Sequence, residues 1–197
     1  MCTSSGQAAT FTAVMNICQS GDHIVSSSTI YGGTFNLFDV TFRKMGLDCT
    51  FIDQDASEEE IQKAFRPNTR ILFGETIANP KISVLDIEKF ARIARKNGVP
   101  LMVDNTFATP VLLNPFKFGA DIITHSTTKY MDGHAVSVGG AVVDSGNFDW
   151  TGGKFPALTE PDPSYHGIVY TESYGNKAYI TKARMQYIRD LGNCMSP

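Results

Sequence analysis

A lysine and several hydroxyl side chains follow one apolar stretch of this 197-residue chain. A strand is predicted over Ile122 and Ile123, and Ser126, Thr128 and Lys129 come shortly after it. An amine at the end of a buried strand can form a Schiff base with an aldehyde, and neighbouring hydroxyl groups can donate hydrogen bonds to a phosphate. A lone lysine in such a place is more often an exposed surface residue, so this alternative stays open on the stretch alone.

Two carboxylates end other predicted strands. Asp104 closes strand 101–104 and Glu75 closes strand 69–75. A carboxylate beside a pyridine nitrogen keeps that nitrogen protonated, which suits Asp104 for work with a pyridoxal-type ring. Taken alone, Asp104 is equally explained as a turn cap before Asn105. Glu75 and Thr106 are candidates for positioning their neighbours.

The first helix begins with small polar residues. Ser4 or Ser5 is a suitable N-cap, and the backbone N–H groups of Gly6 and Gln7 can bind a phosphate at the helix start. Such a cap is common in proteins, so phosphate or nucleotide binding without chemistry stays an alternative. Tyr31, before two glycines, can stack on a planar ring and take part in proton transfer, although it is also a typical packing residue at a turn.

The hydrophobic pattern alternates strands with helices. Strands are predicted at 23–26, 49–52, 69–75, 101–104, around Ile122 and Ile123, and within 135–143. Helices are predicted at 8–18, 35–45, after the capping box at Ser57, at 85–97 and at 174–191, and residues 147–170 are predicted to form an ordered, packed excursion. This alternation indicates an α/β fold with a mostly parallel sheet flanked by helices. Ligands bind at the carboxyl ends of such strands, where Glu75, Asp104 and Lys129 are expected to meet.

Composition limits the class of protein. With 42% hydrophobic residues, 19% charged residues and a net charge of −3, the chain suits one domain with a sizeable core and has no basic field for nucleic acid. No apolar run suits a membrane span or a signal peptide. The cysteines and histidines show no metal-ligand spacing, and His125 and His134 are interpreted as structural. Reduced thiols are expected at Cys2, Cys18, Cys49 and Cys194, which favours a cytoplasmic location.

Five motifs occur in an order typical of one enzyme family. They are Ser4–Ala9, Tyr31–Thr34, Glu75–Pro80, Val103–Pro110 and His125–Tyr130. Together they resemble the Cys/Met-metabolism class of pyridoxal-phosphate enzymes over essentially the whole chain. Phe148–Trp150 and Glu160–His166 are most similar to its O-acetylhomoserine sulfhydrylase branch.

The resemblance implies the fold, the cofactor and the site. It implies the large domain of fold-type I transferases, with pyridoxal 5′-phosphate as cofactor and no metal. Lys129 is expected to carry the cofactor as a Schiff base, with Tyr31 as a second catalytic residue, and Asn79 matches the family residue that bonds the cofactor's phenolic oxygen. The cofactor-binding set is expected to be Ser5, Gly6, Gln7, Tyr31, Glu75, Asn79, Asp104, Thr106, Ser126, Thr128 and Lys129.

The resemblance also implies the reaction. It is γ-replacement on O-acetylhomoserine with sulfide or a thiol, giving homocysteine or methionine, by a cytoplasmic homo-oligomer that is a tetramer in the family. A γ-lyase, β-lyase or cystathionine synthase of the same family is the alternative. Methionine γ-lyases usually carry cysteine at the position of Gly33, which makes that lyase less favoured. A non-catalytic cofactor-binding or assembly fragment is a further alternative.

The extent of the chain differs from the family pattern. Residues 1–197 are expected to form only the cofactor-binding large domain. The N-terminal arm, whose Tyr-x-Arg stretch reaches the phosphate of a neighbouring subunit, and the small C-terminal domain, whose arginine binds the substrate carboxylate, are expected to be absent. The isolated chain is therefore expected to be impaired or inactive.

Overall fold

One sheet lies at the centre of the molecule. In residues 1–134 and 136–192, which the computed structural model describes, seven strands pair in the order β1-β7-β6-β5-β4-β2-β3. They are β1 (Cys2–Thr3), β2 (His23–Ser27), β3 (Asp48–Ile52), β4 (Thr69–Glu75), β5 (Leu101–Asp104), β6 (Ile122–Ser126) and β7 (Gly140–Asp144). Strands β2 to β6 pair in parallel, while β7 is antiparallel to both β6 and β1. The predicted mostly parallel sheet is confirmed.

Helices flank this sheet. They are α1 (Gly6–Met15), α2 (Gly32–Asn36), α3 (Phe42–Lys44), α4 (Glu58–Gln62), α5 (Ile87–Lys96), α6 (Thr109–Leu112), α7 (Pro156–Thr159), α8 (Tyr170–Tyr174) and α9 (Ala178–Leu191). Short 3₁₀ turns lie at Pro115–Phe118, Pro163–Tyr165 and Gly175–Lys177, and one π-helical turn, Leu37–Thr41, joins α2 to α3. No helix in the described ranges is long and apolar enough to cross a membrane.

Alternation along the strands produces two core clusters. Phe73 and Met102 face one side of the sheet and belong to the cluster that includes α1 residues such as Ala13. Leu72 and Val103, each one position away, belong to the cluster on the α5 side. Because successive strand side chains point to opposite faces, these apolar runs are buried on both sides, as expected for a parallel sheet.

Local sequence signals place several helix starts. The Ser5 hydroxyl accepts a hydrogen bond from the Ala8 amide at 3.0 Å, so Ser5 is the N-cap of α1. Ser57 and Glu60 form the expected capping box at α4. Both devices satisfy amide groups that have no partner within the helix.

The boundaries of several elements differ from the prediction, among them α1 at Gly6–Met15 instead of 8–18 and α5 at Ile87–Lys96 instead of 85–97. The last predicted strand, within 135–143, is β7 at Gly140–Asp144, and Ala135 lies outside the described residues, as does Cys194. This strand pairs with β6 only from Ser126↔Gly140 to Ile122↔Asp144, so the end of its partner determines where it starts. The predicted helix 35–45 starts at Gly32 and contains the π-helical turn, and the last helix starts at Ala178 instead of Tyr174.

The excursion at 147–170 packs onto the core. Trp150, Phe155 and Tyr170 are buried, and the Trp150 ring stacks on Tyr179 of α9 with ring centroids 5.2 Å apart. The prediction of an ordered, packed segment is confirmed.

Candidate active site

A cavity of about 260 Å³ lies at the carboxyl ends of the central strands. The register of the sheet places Glu75 of β4 opposite Asp104 of β5, and Asp104 opposite Thr124 of β6. The cavity is lined by Ser5, Gly6, Gln7, Thr10, Tyr31, Thr34, Glu75, Asn79, Asp104, Thr106, Phe107, Ser126, Thr128, Lys129 and Val138. The fold therefore brings together all eleven residues predicted to bind a cofactor.

Asp104 has hydrogen bonds on one oxygen only. Its Oδ1 accepts from the Thr106 amide at 2.9 Å and from the Thr106 hydroxyl at 2.5 Å, whereas no described residue donates to Oδ2. Burial raises the pKa of Asp104, and the two Thr106 hydrogen bonds act in the opposite direction. A nearby cation, such as a protonated ring nitrogen, would stabilise the charged form of a carboxyl group in this environment.

Thr106 links the ends of two strands. The Ser126 amide of β6 donates to the Thr106 hydroxyl oxygen at 2.8 Å, and that hydroxyl donates to Asp104 at the end of β5. This relay fixes the position of the Asp104 carboxylate relative to β6. The Ser126 hydroxyl has no hydrogen-bond partner among the described residues, so it can donate to a ligand.

The start of α1 lies unusually close to the sheet. A Cβ atom on Gly6 would lie 2.5 Å from Cβ of Ser126, and one on Gly140 would lie 2.1 Å from the Ser5 carbonyl oxygen. Only glycine allows these approaches. The amides of Gly6 and Gln7, which belong to the first turn and have no partner within the helix, thus lie beside the Ser126 hydroxyl in a suitable place for an anion.

Lys129 lies at the cavity wall with a free amine. Its backbone amide donates to the Ser126 carbonyl at 3.3 Å, and no described residue forms an ion pair or hydrogen bond with its Nζ.

The neighbouring Thr128, which was predicted to donate a hydrogen bond to a phosphate, is bonded to the protein backbone instead. Its hydroxyl donates to the Gly139 carbonyl at 3.2 Å and accepts from the Gly139 amide at 3.0 Å. Thr128 can donate to a phosphate only when its hydroxyl hydrogen turns away from the Gly139 carbonyl. Its role in phosphate binding stays a prediction.

Two other predicted ligands face the loop that carries Tyr31. The buried Glu75 carboxylate accepts from the Tyr31 amide at 2.6 Å through Oε2, and the Gln7 side-chain amide donates to the Gly33 carbonyl at 3.0 Å. Burial, with a smaller contribution from Asp104, raises the pKa of Glu75 to about 8, while hydrogen bonds from the Tyr31 and Asn79 amides act in the opposite direction. Both side chains line the cavity, but their observed contacts are structural.

The two histidines near Lys129 differ from each other. His125 is buried outside the cavity, as strand alternation predicts, and burial lowers its pKa. His134 is exposed and lines a wider opening of about 660 Å³ with Lys129 and Asn79. The loop after β6 carries it to the cavity mouth, and its interpretation as a structural histidine stays a prediction. The sequence signal for this placement was that His134 follows Lys129 by only five residues.

Phe107 also lies at the site and was missed. Its ring packs edge-on against Tyr130, with centroids 5.7 Å apart, and it lines both cavities. Nothing in its local sequence distinguishes it from a core residue. Across residues 1–134 and 136–192, no group of three or more His, Cys, Asp or Glu side chains is arranged to hold a metal ion.

Two known proteins are similar to the chain over its whole length. It is 47% identical to an O-acetyl-L-homoserine sulfhydrylase of Leptospira meyeri and 46% identical to a homocysteine/cysteine synthase of Saccharomyces cerevisiae. Each match covers 100% of this chain but 46% and 45% of those proteins, respectively. The chain thus spans about half the length of the curated relatives it matches.

Solved structures agree with this similarity. An O-acetylhomoserine (thiol)-lyase of Campylobacter jejuni, which carries a pyridoxyl-lysine phosphate, superimposes with a TM-score of 0.94 at 36% identity. The match covers 100% of this chain and 49% of the Campylobacter jejuni chain. An O-acetylhomoserine sulfhydrylase of Wolinella succinogenes gives a TM-score of 0.86 at 33% identity, and that match covers 100% of this chain and 52% of the Wolinella succinogenes chain. The sequence profile of the Cys/Met metabolism PLP-dependent enzymes matches residues 1–197, and the chain belongs to this family.

Proposed function

We propose that this chain is the cofactor-binding part of an enzyme that replaces the acetate of O-acetylhomoserine with sulfide or a thiol. The observation that carries the proposal is the half-bonded Asp104 carboxylate in the same cavity as the free amine of Lys129. Relatives of the chain are named for this sulfhydrylation or for homocysteine synthesis. The domain limits, with an N-terminal arm and a small C-terminal domain lying outside residues 1–197, stay a prediction.

The residues of the cavity fit pyridoxal phosphate. When bound, this cofactor supplies an aldehyde that attaches to amines and a protonated ring that accepts the electrons released at the substrate α-carbon. Lys129 would hold the aldehyde carbon, and Asp104 would keep the proton on the ring nitrogen. Asn79 would bond the phenolic oxygen, and Tyr31 would cover the ring. Ser5, Gly6, Gln7, Ser126 and Thr128 would surround the phosphate end, and Glu75 and Thr106 would hold their neighbours in place.

Lys129 also supplies the base. Its Nζ, when not attached to the aldehyde, takes the proton from the substrate α-carbon and moves a second proton at the β-carbon. In the overall exchange the γ-carbon–oxygen bond breaks, acetate leaves with its electron pair, and a carbon–sulfur bond forms at the same carbon. The protein's contribution is to hold these groups in line and to move the protons.

An absorbance experiment tests the cofactor assignment. The purified chain is mixed with pyridoxal phosphate, and the absorbance of the lysine-bound cofactor is expected in the parent but not in Lys129→Ala. Lys117→Ala is the matched control, because Lys117 is an exposed lysine away from the cavity. Equal spectra from parent and Lys129→Ala would disprove the assignment.

Product analysis separates replacement from elimination. The complete enzyme, supplied with O-acetylhomoserine and sulfide, is expected to yield homocysteine, whereas a 2-oxo acid with ammonia would identify a lyase. A fragment with an assembly role alone would form oligomers and show no cofactor absorbance.

We also propose that the protein is a homo-oligomer. The segments after β4, β5 and β6, which include helix α6, carry six aliphatic side chains that are 66–90% exposed, here called the apolar rim: Ile82, Val84, Val111, Leu112, Val136 and Val138. Exposed apolar groups of this kind mark protein interfaces, and a second copy of the chain is the proposed occupant. Light scattering should show dissociation in Val111→Lys/Leu112→Lys but not in the control Glu59→Lys. Unchanged mass in both would argue against this interface.

A cytoplasmic location is proposed as well. The buried Cys18 and Cys49 thiols are unpaired, as in a reducing compartment. Fractionation of cells that express the natural protein would test this, and recovery with the membrane fraction would contradict it.

A further inference from the structure

The Tyr31 main chain is held by a buried carboxylate. Tyr31 is 52% exposed and precedes the short helix α2, which has no side-chain cap at that position. Its amide donates to Glu75 at 2.6 Å, and Glu75 is only 4% exposed at the end of β4. The Oε2 atom can accept this hydrogen bond whether or not Glu75 carries a proton, since Oε1 can hold the proton, so the contact anchors the loop to the sheet.

The Tyr31 ring is held by a glycine. A Cβ atom on Gly33 would lie 2.4 Å from Cε1 of Tyr31, so the ring lies directly against the Gly33 backbone. Gly33 is helical, and its φ is not in the left-handed region, so glycine is needed there for space and not for conformation. The Gln7 side chain donates to the Gly33 carbonyl at 3.0 Å and ties this backbone to α1.

Within residues 1–134 and 136–192, no other aromatic ring packs against Tyr31. The neighbouring Phe35 stacks on Phe51, with centroids 4.1 Å apart, and is thus turned to the outer strand β3. A half-exposed ring without such packing has considerable conformational freedom to lose. Its place at the cavity therefore depends on its anchored main chain and on the space above Gly33.

We propose that Glu75 and Gly33 are positioning residues that fix the Tyr31 ring over the cavity, and that they influence a bound planar ring through Tyr31. The inference rests on the proposed cofactor site and deepens it. It gives the cavity an ordered lid over one face of the ligand. In this chain a side chain at position 33 would require the Tyr31 ring to move, because its Cβ atom would lie 2.4 Å from Cε1 of that ring.

A cofactor-free experiment tests the positioning directly. In the parent chain, NMR should show nuclear Overhauser contacts between the Tyr31 ring and the Gly33 α-protons. Glu75→Ala, which removes the acceptor, is expected to lose them, and Glu75→Gln, which keeps an acceptor oxygen, is expected to retain them. Gly33→Ala is expected to displace the ring while the Tyr31 amide stays bonded. Nuclear Overhauser contacts in Glu75→Ala that equal those of the parent would overturn the proposal. If Glu75→Ala does not fold, Gly33→Ala still tests the proposal.

A second experiment uses the chain loaded with pyridoxal phosphate. Circular dichroism induced in the bound cofactor depends on the ordered groups around it, and its loss in Tyr31→Ala measures the part due to that ring, whereas absorbance reports attachment to Lys129. Glu75→Ala and Gly33→Ala should lower the dichroism to the level of Tyr31→Ala while the absorbance persists. Glu75→Ala combined with Tyr31→Ala should show no further loss, because both act on one ring. Unchanged dichroism in Glu75→Ala, or additive losses, would contradict the positioning role.

The two experiments separate two failures. Absence of lysine-bound absorbance in the parent chain would count against the proposed function, while the cofactor-free contacts would still decide the roles of Glu75 and Gly33.

Discussion

At the scale of residues, two neighbouring carboxyl groups are treated differently by the fold. Glu75 and Asp104 lie opposite each other at the ends of β4 and β5, and burial raises the pKa of both. Glu75 is bonded by backbone amides of the Tyr31 and Asn79 loops, whereas one oxygen of Asp104 has no donor in the described part of the chain. The first suits a structural role, and the second suits a ligand that brings positive charge.

The raised pKa of Glu75 predicts how stability depends on pH. Its pKa is about 8 in the folded chain and about 4.5 when unfolded, so the folded state holds the proton more tightly. The contribution of Glu75 is complete below pH 4.5 and is lost as the pH rises to about 8, by roughly 3 to 5 kcal/mol.

Urea unfolding at a series of pH values measures this change in the cofactor-free chain. The difference in unfolding free energy between the parent and Glu75→Gln isolates this change. The variant keeps a side-chain oxygen that accepts from the Tyr31 amide, but it does not titrate. A difference that stays constant between pH 4.5 and 8 would contradict the prediction.

Asp104 predicts a loss of turnover. Asp104→Asn keeps the acceptor oxygen for Thr106 but removes the charge that we propose faces the ring nitrogen. We expect the complete enzyme to retain Lys129-dependent absorbance and to lose roughly 100-fold or more in kcat, about 3 kcal/mol of transition-state stabilisation. Steady-state kinetics tests this, and wild-type turnover in Asp104→Asn would rule out the assigned role.

At the scale of elements, the position of α1 against the end of β6 and the start of β7 shapes the end of the cavity that we propose for the phosphate. Two glycines permit this approach, Gly6 against Ser126 and Gly140 against Ser5. The Ser5 cap then leaves the following amides available to a ligand. The glycines of α1 and β7 therefore allow the close approach that brings the first amides of α1 to the cavity.

Gly6→Ala should separate α1 from β6. The added Cβ at 2.5 Å from Ser126 forces a shift that we expect to cost about 1–3 kcal/mol of unfolding free energy and to weaken pyridoxal-phosphate binding. Gly152→Ala is the control, because that Cβ meets no atom within 4 Å and should change stability by less than about 0.5 kcal/mol. Urea unfolding and cofactor titration measure both effects, and equal behaviour of the two variants would refute the close-contact explanation.

At the scale of the whole molecule, the sheet is held together by polar contacts at its amino end. His23 of β2 is buried and bonds Thr69 of β4 through Nδ1 at 2.8 Å and Thr50 of β3 through Nε2 at 2.9 Å. Burial, with a smaller effect of Arg66, lowers its pKa to about 4. A neutral histidine thus connects three strands.

This histidine predicts acid destabilisation. Because the pKa of His23 is lower in the folded chain than the ordinary 6.5, its contribution is complete above pH 6.5 and is lost as the pH falls to about 4. We expect a loss of roughly 2 to 3 kcal/mol, opposite in direction to the effect of Glu75. Comparing urea unfolding of the parent with His23→Gln across this range measures it, and a pH-independent difference would contradict it.

The parallel arrangement and much of the site follow from local patterns. Lys129 and Asp104 were placed at strand ends because apolar runs stop there, and Ser5 and Ser57 were identified as caps from residue type and spacing. These signals depend on residues close together in the chain. Sequence order alone therefore sufficed for them.

Only the tertiary structure decided how these groups are bonded where they meet. The antiparallel start of β7, the contact of Glu75 with Tyr31 and the exposure of His134 depend on pairing and packing between distant segments. The sequence by itself determined that a lysine, an aspartate and a helix start with small polar residues occur at the ends of their elements, and a parallel sheet predicts that such ends converge. The bonding of Asp104 on one oxygen and the anchoring of Tyr31 beside it result from hydrogen bonds between distant segments and close packing at glycines, which no local pattern encodes.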